Sequence, residues 1–81
     1  MQGIVKWFDV KLGYGFLNSP DVEELKHPDG MMMDVFVYYK KIQMPGFKKV
    51  EQGELVSYEL IWTPEGKPQA ENIIRLNPSV D

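Results

Sequence analysis

Cysteine is absent from the 81 residues, and histidine occurs once. Without cysteine there can be no disulfide, no thiolate nucleophile and no thiolate-held zinc or iron–sulfur centre, a composition at home in a reducing cytoplasm, the expected location. A single histidine cannot build a multi-histidine metal site, and His27 lies among Lys26, Pro28, Asp29 and Gly30, a turn-forming setting. No metal ion or other cofactor is therefore expected. Hydrolytic chemistry is poorly provided for as well: Ser19, Ser57 and Ser79 lack a histidine partner, and Glu59 and Glu71 read as solvated strand positions. No glycine-rich phosphate loop is present, and an enzyme is not expected. Long apolar runs are missing too. Nothing approaches the roughly 20 residues that cross a bilayer. Lys6 and Asp9 break the N-terminal apolar stretch, unlike a signal peptide, so no membrane partner is expected.

What remains is one small domain. At this length about 60 % of the unfolded chain's surface can be buried, which favours a core closed on itself, such as a barrel. The net charge of −3 is at first sight unfavourable to a polyanionic partner. Its distribution alters that reading. Between Ser19 and Met33 stand Asp21, Glu23, Glu24 and Asp29 against Lys26 alone, a local net of −3, so the rest of the chain is neutral overall.

Two tryptophans, four tyrosines and four phenylalanines are many for this length, and eight of these rings fall between Trp7 and Phe47. In Gly13-Tyr14-Gly15-Phe16-Leu17-Asn18, a strand places Tyr14 and Phe16 on one face and Gly13, Gly15 and Leu17 on the other. The same rule in Asp34-Val35-Phe36-Val37-Tyr38-Tyr39 sets Phe36 and Tyr38 against Val35 and Val37. A domain this small cannot bury both faces. The aliphatic and glycine set suits a barrel lining, where glycine allows close strand approach. The rings are then left facing solvent, and exposed rings near lysines suit single-stranded nucleic acid, whose bases stack and whose backbone is anionic. The competing reading makes the rings one half of a sandwich core.

At this point the chain resembles a known family. Gly3-Ile4-Val5-Lys6-Trp7-Phe8-Asp9 is similar to the opening G-x-V-K-W-F-N of the cold-shock domain. Gly13-Tyr14-Gly15-Phe16-Leu17 resembles its first ribonucleoprotein motif, K-G-F-G-F-I, and Val35-Phe36-Val37-Tyr38-Tyr39 its second, V-F-V-H-F. Ile42-Gln43, Gly46-Phe47-Lys48, Glu51-x-Gly53, Val56-Ser57-Tyr58 and Pro68-Gln69-Ala70-x-Asn72-Ile73 follow in family order. The resemblance implies an all-β fold, a small five-stranded antiparallel Greek-key barrel of the oligonucleotide-binding type. Strands are predicted over 4–9, 13–18, 34–38, 55–61 and 70–76, making 1–76 the domain and 77–81 a frayed tail.

Several departures from the family bear on function. Leu12 stands where a lysine normally precedes the first motif, with Lys11 one place earlier, and a one-residue offset on a strand points a side chain elsewhere. Tyr38 replaces the family histidine and Tyr39 the following phenylalanine, changes that keep stacking faces, while Asp9 replaces an asparagine and adds a negative charge near Trp7. The stretch 19–33 is an acidic insertion where the family has a short turn. Ser19-Pro20 followed by acids predicts a short helix there, capped by Ser19. The insertion reads either as a flap offering Met31, Met32 and Met33 to a partner or, the preferred reading, as a loop whose Val22, Leu25 and methionines fold onto the barrel. Trp62 matches nothing in the family pattern and is expected to cap a barrel end rather than add a stacking surface. Finally, Lys6 and Trp7 alternate in facing, yet the family uses both at its binding surface, which requires a twist or bulge.

The expected function is binding of single-stranded DNA or RNA with low sequence preference and tolerance of pyrimidines, as an RNA chaperone or a modulator of transcription and translation. Trp7, Phe16, Phe36, Tyr38 and Phe47 are the candidate stacking residues, with Phe8, Tyr14 and Tyr39 in support. Lys6, Lys11, Lys48 and Lys67 are the candidate phosphate contacts. A monomer is expected. The alternative is a protein-interaction module that uses Ser19 to Met33 on the same barrel.

Overall fold

Alternation of small or aliphatic residues with aromatic ones becomes a closed barrel. The computed structural model describes residues 1–76, so the predicted tail lies outside the described residues. Five strands, β1 (Gln2–Asp9), β2 (Tyr14–Asn18), β3 (Val35–Tyr38), β4 (Leu55–Trp62) and β5 (Pro68–Arg75), close in the order β1-β2-β3-β5-β4, with β4 returning to β1. No predicted strand end is misplaced by more than two residues. The expected antiparallel arrangement holds at every seam except β3–β5, which is parallel and places Phe36 opposite Gln69. A ring of five strands cannot alternate direction all the way round, and the mismatch falls at the seam where two upward strands close the circle.

Val5, Leu17, Val35, Val37, Val56, Tyr58, Ala70 and Ile73 fill the interior from the strands, joined by Leu25, Ile42 and Val50 from connecting segments. In β2 and β3 this is the lining that alternation predicts. Gly15 shows why glycine sits among it: a Cβ there would lie 2.1 Å from the Trp7 carbonyl oxygen, so β1 and β2 approach too closely for any side chain. Pairing slips by one residue between Val5 opposite Leu17 and Trp7 opposite Phe16, leaving Lys6 as the extra residue of a bulge. The bulge turns Lys6 and Trp7 outward together, both exposed, as strict alternation could not.

The insertion is a folded lobe. A single 3-10 turn spans Glu23–Leu25, Lys26 bridges Met32, and the Met33 amide donates to the Leu25 carbonyl at 2.8 Å. Leu25 is fully buried in the core and Val22 packs against it, whereas Met31 and Met32 stay exposed. Ser19 does not cap the turn. Val22 occupies that position without a side-chain bond, while the buried Ser19 hydroxyl donates to the Gln2 carbonyl at 2.8 Å and lies 2.5 Å from the Tyr58 hydroxyl. A polar pair at the barrel's end outweighs a local cap, because a buried hydroxyl left unbonded is costly. Among the described residues no helix is long and apolar enough to cross a membrane.

Candidate nucleic-acid interface

Cross-strand pairing builds a continuous ring surface on the outward face. Tyr14 stands opposite Tyr38 and Phe16 opposite Phe36, and directly opposed residues on one face are within reach of each other's side chains. Trp7 joins from β1, 5.4 Å from Phe16 and 5.9 Å from Tyr14 between ring centres. Tyr14 and Phe16 each lie within 6 Å of Phe36, whose ring stacks on Tyr38 at 6.4 Å, and Tyr38 meets Tyr39 edge-on at 4.9 Å. Tilted and edge-to-face contacts of this kind favour the aromatic quadrupole, so the rings brace one another. Trp7 and Tyr39 are nonetheless exposed and Tyr14, Phe16, Phe36 and Tyr38 half-buried, while Phe47, in the loop before β4, is 67 % exposed.

Beyond Tyr39 the surface opens into a cleft of about 710 Å³ lined by Lys11, Leu12, Tyr39, Lys40, Phe47 and Lys48 among others. A tight turn makes this possible. The Asp9 carboxylate accepts the Lys11 and Leu12 amides at 2.8 and 3.1 Å, and the Gly13 amide donates to the Asp9 carbonyl, with Gly13 at φ +77°. Any Cβ at Gly13 would also press on the Tyr39 ring at 2.8 Å. Alternation does not govern such a turn, so Lys11 and Leu12 line one cleft and the offset from the family position does not carry the lysine away. The Asp9 carboxylate, the added charge near Trp7, is turned to these backbone amides.

Of the residues singled out in the sequence, Trp7, Tyr14, Phe16, Phe36, Tyr38 and Tyr39 form the platform, and Lys11, Phe47 and Lys48 meet Tyr39 at the cleft. Phe8 is not brought there; opposite Gly15, its ring packs against the core. Lys6 is exposed but its ammonium donates to Asp34 at 3.2 Å. Lys67 lies in the β4–β5 turn, its amide held by the Thr63 hydroxyl at 3.1 Å. Lys40 escaped the sequence reading because a 3-10 turn at Tyr39–Lys41 ends the period-two pattern just before it. Trp62 pairs with Pro68 at the end of β4 and is 44 % exposed. Among the described residues no cluster of His, Asp or Glu is arranged to hold a metal ion.

Residues 1–76 match the family model described as the 'Cold-shock' DNA-binding domain. The chain belongs to that family. This cold-shock domain is 43 % identical over 75 residues to a cold shock-like protein of Thermotoga maritima, covering 90 % of the chain and 94 % of that protein. It is 41 % identical over 75 residues to cold shock protein CspB of Geobacillus stearothermophilus (93 % and 97 % covered). It is 37 % identical over 76 residues to cold shock-like protein CspC of Bacillus cereus (94 % and 100 %). Its fold is similar to a solved chain, drosophila Unr CSD456, with a TM-score of 0.66 at 19 % identity; the match covers 99 % of this chain and 28 % of that longer one.

Proposed function

We propose that this cold-shock domain binds single-stranded DNA or RNA with little sequence preference, as an RNA chaperone or a modulator of transcription and translation. One observation carries the reading: six mutually braced rings face outward over a core already filled with aliphatic side chains, next to a cleft lined by three lysines. Bases of any identity offer a face to stack, and the lysines meet the backbone. Trp7, Phe16, Phe36, Tyr38, Tyr39 and Phe47 take bases; Lys11, Lys40 and Lys48 take phosphates. Capture of unpaired strands pulls weak hairpins open by mass action, with no nucleotide hydrolysis. The test is titration with a pyrimidine-rich single strand while following tryptophan fluorescence. Quenching is expected to persist in Trp62→Phe and to vanish in Trp7→Phe. Quenching that survives Trp7→Phe and is lost with Trp62 would move the binding face elsewhere.

A further inference from the structure

Register fixes which end of the platform is which. Tyr14 and Tyr38 adjoin the lysine cleft, Phe16 and Phe36 follow, and Asn18 and Asp34 end the row where the insertion begins. Charge divides along the same line. Tyr39 to Val50 holds four lysines and no acid, whereas Ser19 to Asp34 holds five acids against Lys26, itself 3.2 Å from Glu23. Lys6, the nearest platform cation to that end, is engaged by Asp34, which also accepts from Asn18 at 2.9 Å. Lys67 lies toward it as well, because Gln69 pairs with Phe36 and Lys67 lies two residues before, and the Met1 ammonium donates to the Tyr58 carbonyl beside Ser19; these two charges stand against the exposed Asp21, Glu23, Glu24 and Asp29.

The lobe that carries these acids is anchored to the barrel. Leu25 is anchored in the core, Ser19 is bonded at the barrel's end, and Lys26 and Met32 bridge the lobe's two arms. We infer that the seated insertion is an electrostatic stop: a bound strand occupies the platform and leaves through the lysine cleft, and its backbone does not run on past Asn18 and Asp34. The inference rests on the single-strand reading and adds to it a one-ended site. Repulsion of phosphate from the lobe reaches about 8 Å at physiological salt, enough to exclude the first nucleotides beyond the platform without disturbing those stacked on it.

The full chain and the variant Asp21→Asn/Glu23→Gln/Glu24→Gln/Asp29→Asn, which keeps Leu25 and Ser19, are titrated with oligothymidylates of about 4 to 16 nucleotides, the range of site sizes for such barrels. Wild-type affinity is expected to level off once platform and cleft are filled. Affinity of the variant continues to rise with length, and its salt slope on long strands steepens by about 0.7 for each phosphate gained, with no change on the shortest strand that binds. Identical length dependence in the two proteins overturns the stop. Failure of even short strands to bind overturns the single-strand reading and the stop with it. A second measurement needs no variant: uncharged methylphosphonate linkages at one strand end should weaken wild-type binding and at the other leave or strengthen it. Equal effects at both ends contradict a one-ended site.

Discussion

Phe16 and Leu17 are neighbours in sequence, yet Leu17 is completely buried while Phe16 lies half-buried on the ring surface. In β2 and β3 the inward face is aliphatic or glycine and the outward face aromatic up to Asn18. Burying large apolar side chains stabilises a fold by about 1.5 to 3 kcal/mol each, so a chain that leaves its largest rings outside forgoes stability where it could have had it. The two faces therefore separate folding from recognition. Substitutions on one should leave the other nearly intact, and the sharpest tests are those that ask whether they do.

The largest expected effect belongs to the inner face. Leu25→Ala removes a fully buried side chain that the insertion contributes to the core, at a cost of about 2 to 5 kcal/mol in chemical denaturation. Single-strand affinity, measured well below the melting temperature, should stay within about twofold, on the order of RT ln 2. If Leu25→Ala leaves stability unchanged, the insertion is an appendage and not the cover of the barrel's end.

Phe16→Ala and Phe36→Ala probe the outer face. Each should weaken single-strand binding by about 1 to 3 kcal/mol, the loss of one stacking platform. Neither should approach the 3 to 5 kcal/mol of stability that truncating a core phenylalanine costs, because both rings are only half-buried. Thermal melts beside titrations decide the matter. A collapse in melting temperature with affinity preserved would assign the rings to the core after all.

These two faces were legible in the sequence, since period two needs only residue types, and the strand limits followed from the family resemblance. Features that break the period were not. Phe8 stood in the sequence as a supporting ring, but the bulge at Lys6 sends Trp7 outward and Phe8 onto the core. Ser19 had the form of a cap, and only the barrel's closure brings Gln2 and Tyr58 within bonding distance of it. Lys40 follows Tyr39 into a 3-10 turn whose direction depends on Gly13 and the Asp9 turn packing beneath it. Each miss comes from contacts between residues distant in sequence, which no local pattern encodes.

Tyr58 gives the inner face a pH signature. Burial, the main cause, and the negative charge of Glu24 raise its pKa above the usual tyrosine value of about 10, while the Ser19 hydroxyl offsets part of the rise. The folded state thus holds its proton more tightly than the unfolded chain. Stability from this group is fully present below about pH 10 and is lost as pH climbs from there through the raised folded value. Denaturation midpoints should fall in that alkaline window in the wild type and fall less steeply in Tyr58→Phe. Equal slopes would mean that the phenol ionises without leaving its site.

The smallest effect tests the cleft. If Lys11, Lys40 and Lys48 each meet one phosphate, log K against log salt should have a slope near −2, from about −0.7 per contact on a single strand. Leu12 is 57 % exposed on the same cleft, so Leu12→Lys can reach the backbone without disturbing the fold. The variant should steepen the slope by about 0.7, and tighten binding most at low salt, while melting temperature stays unchanged. Titrations at four or so salt concentrations give both slopes. A wild-type slope near −5 would mean that the backbone meets many more cations than the cleft supplies. An unchanged slope in Leu12→Lys would place the strand's path away from the Asp9 turn, leaving the rings alone to hold it.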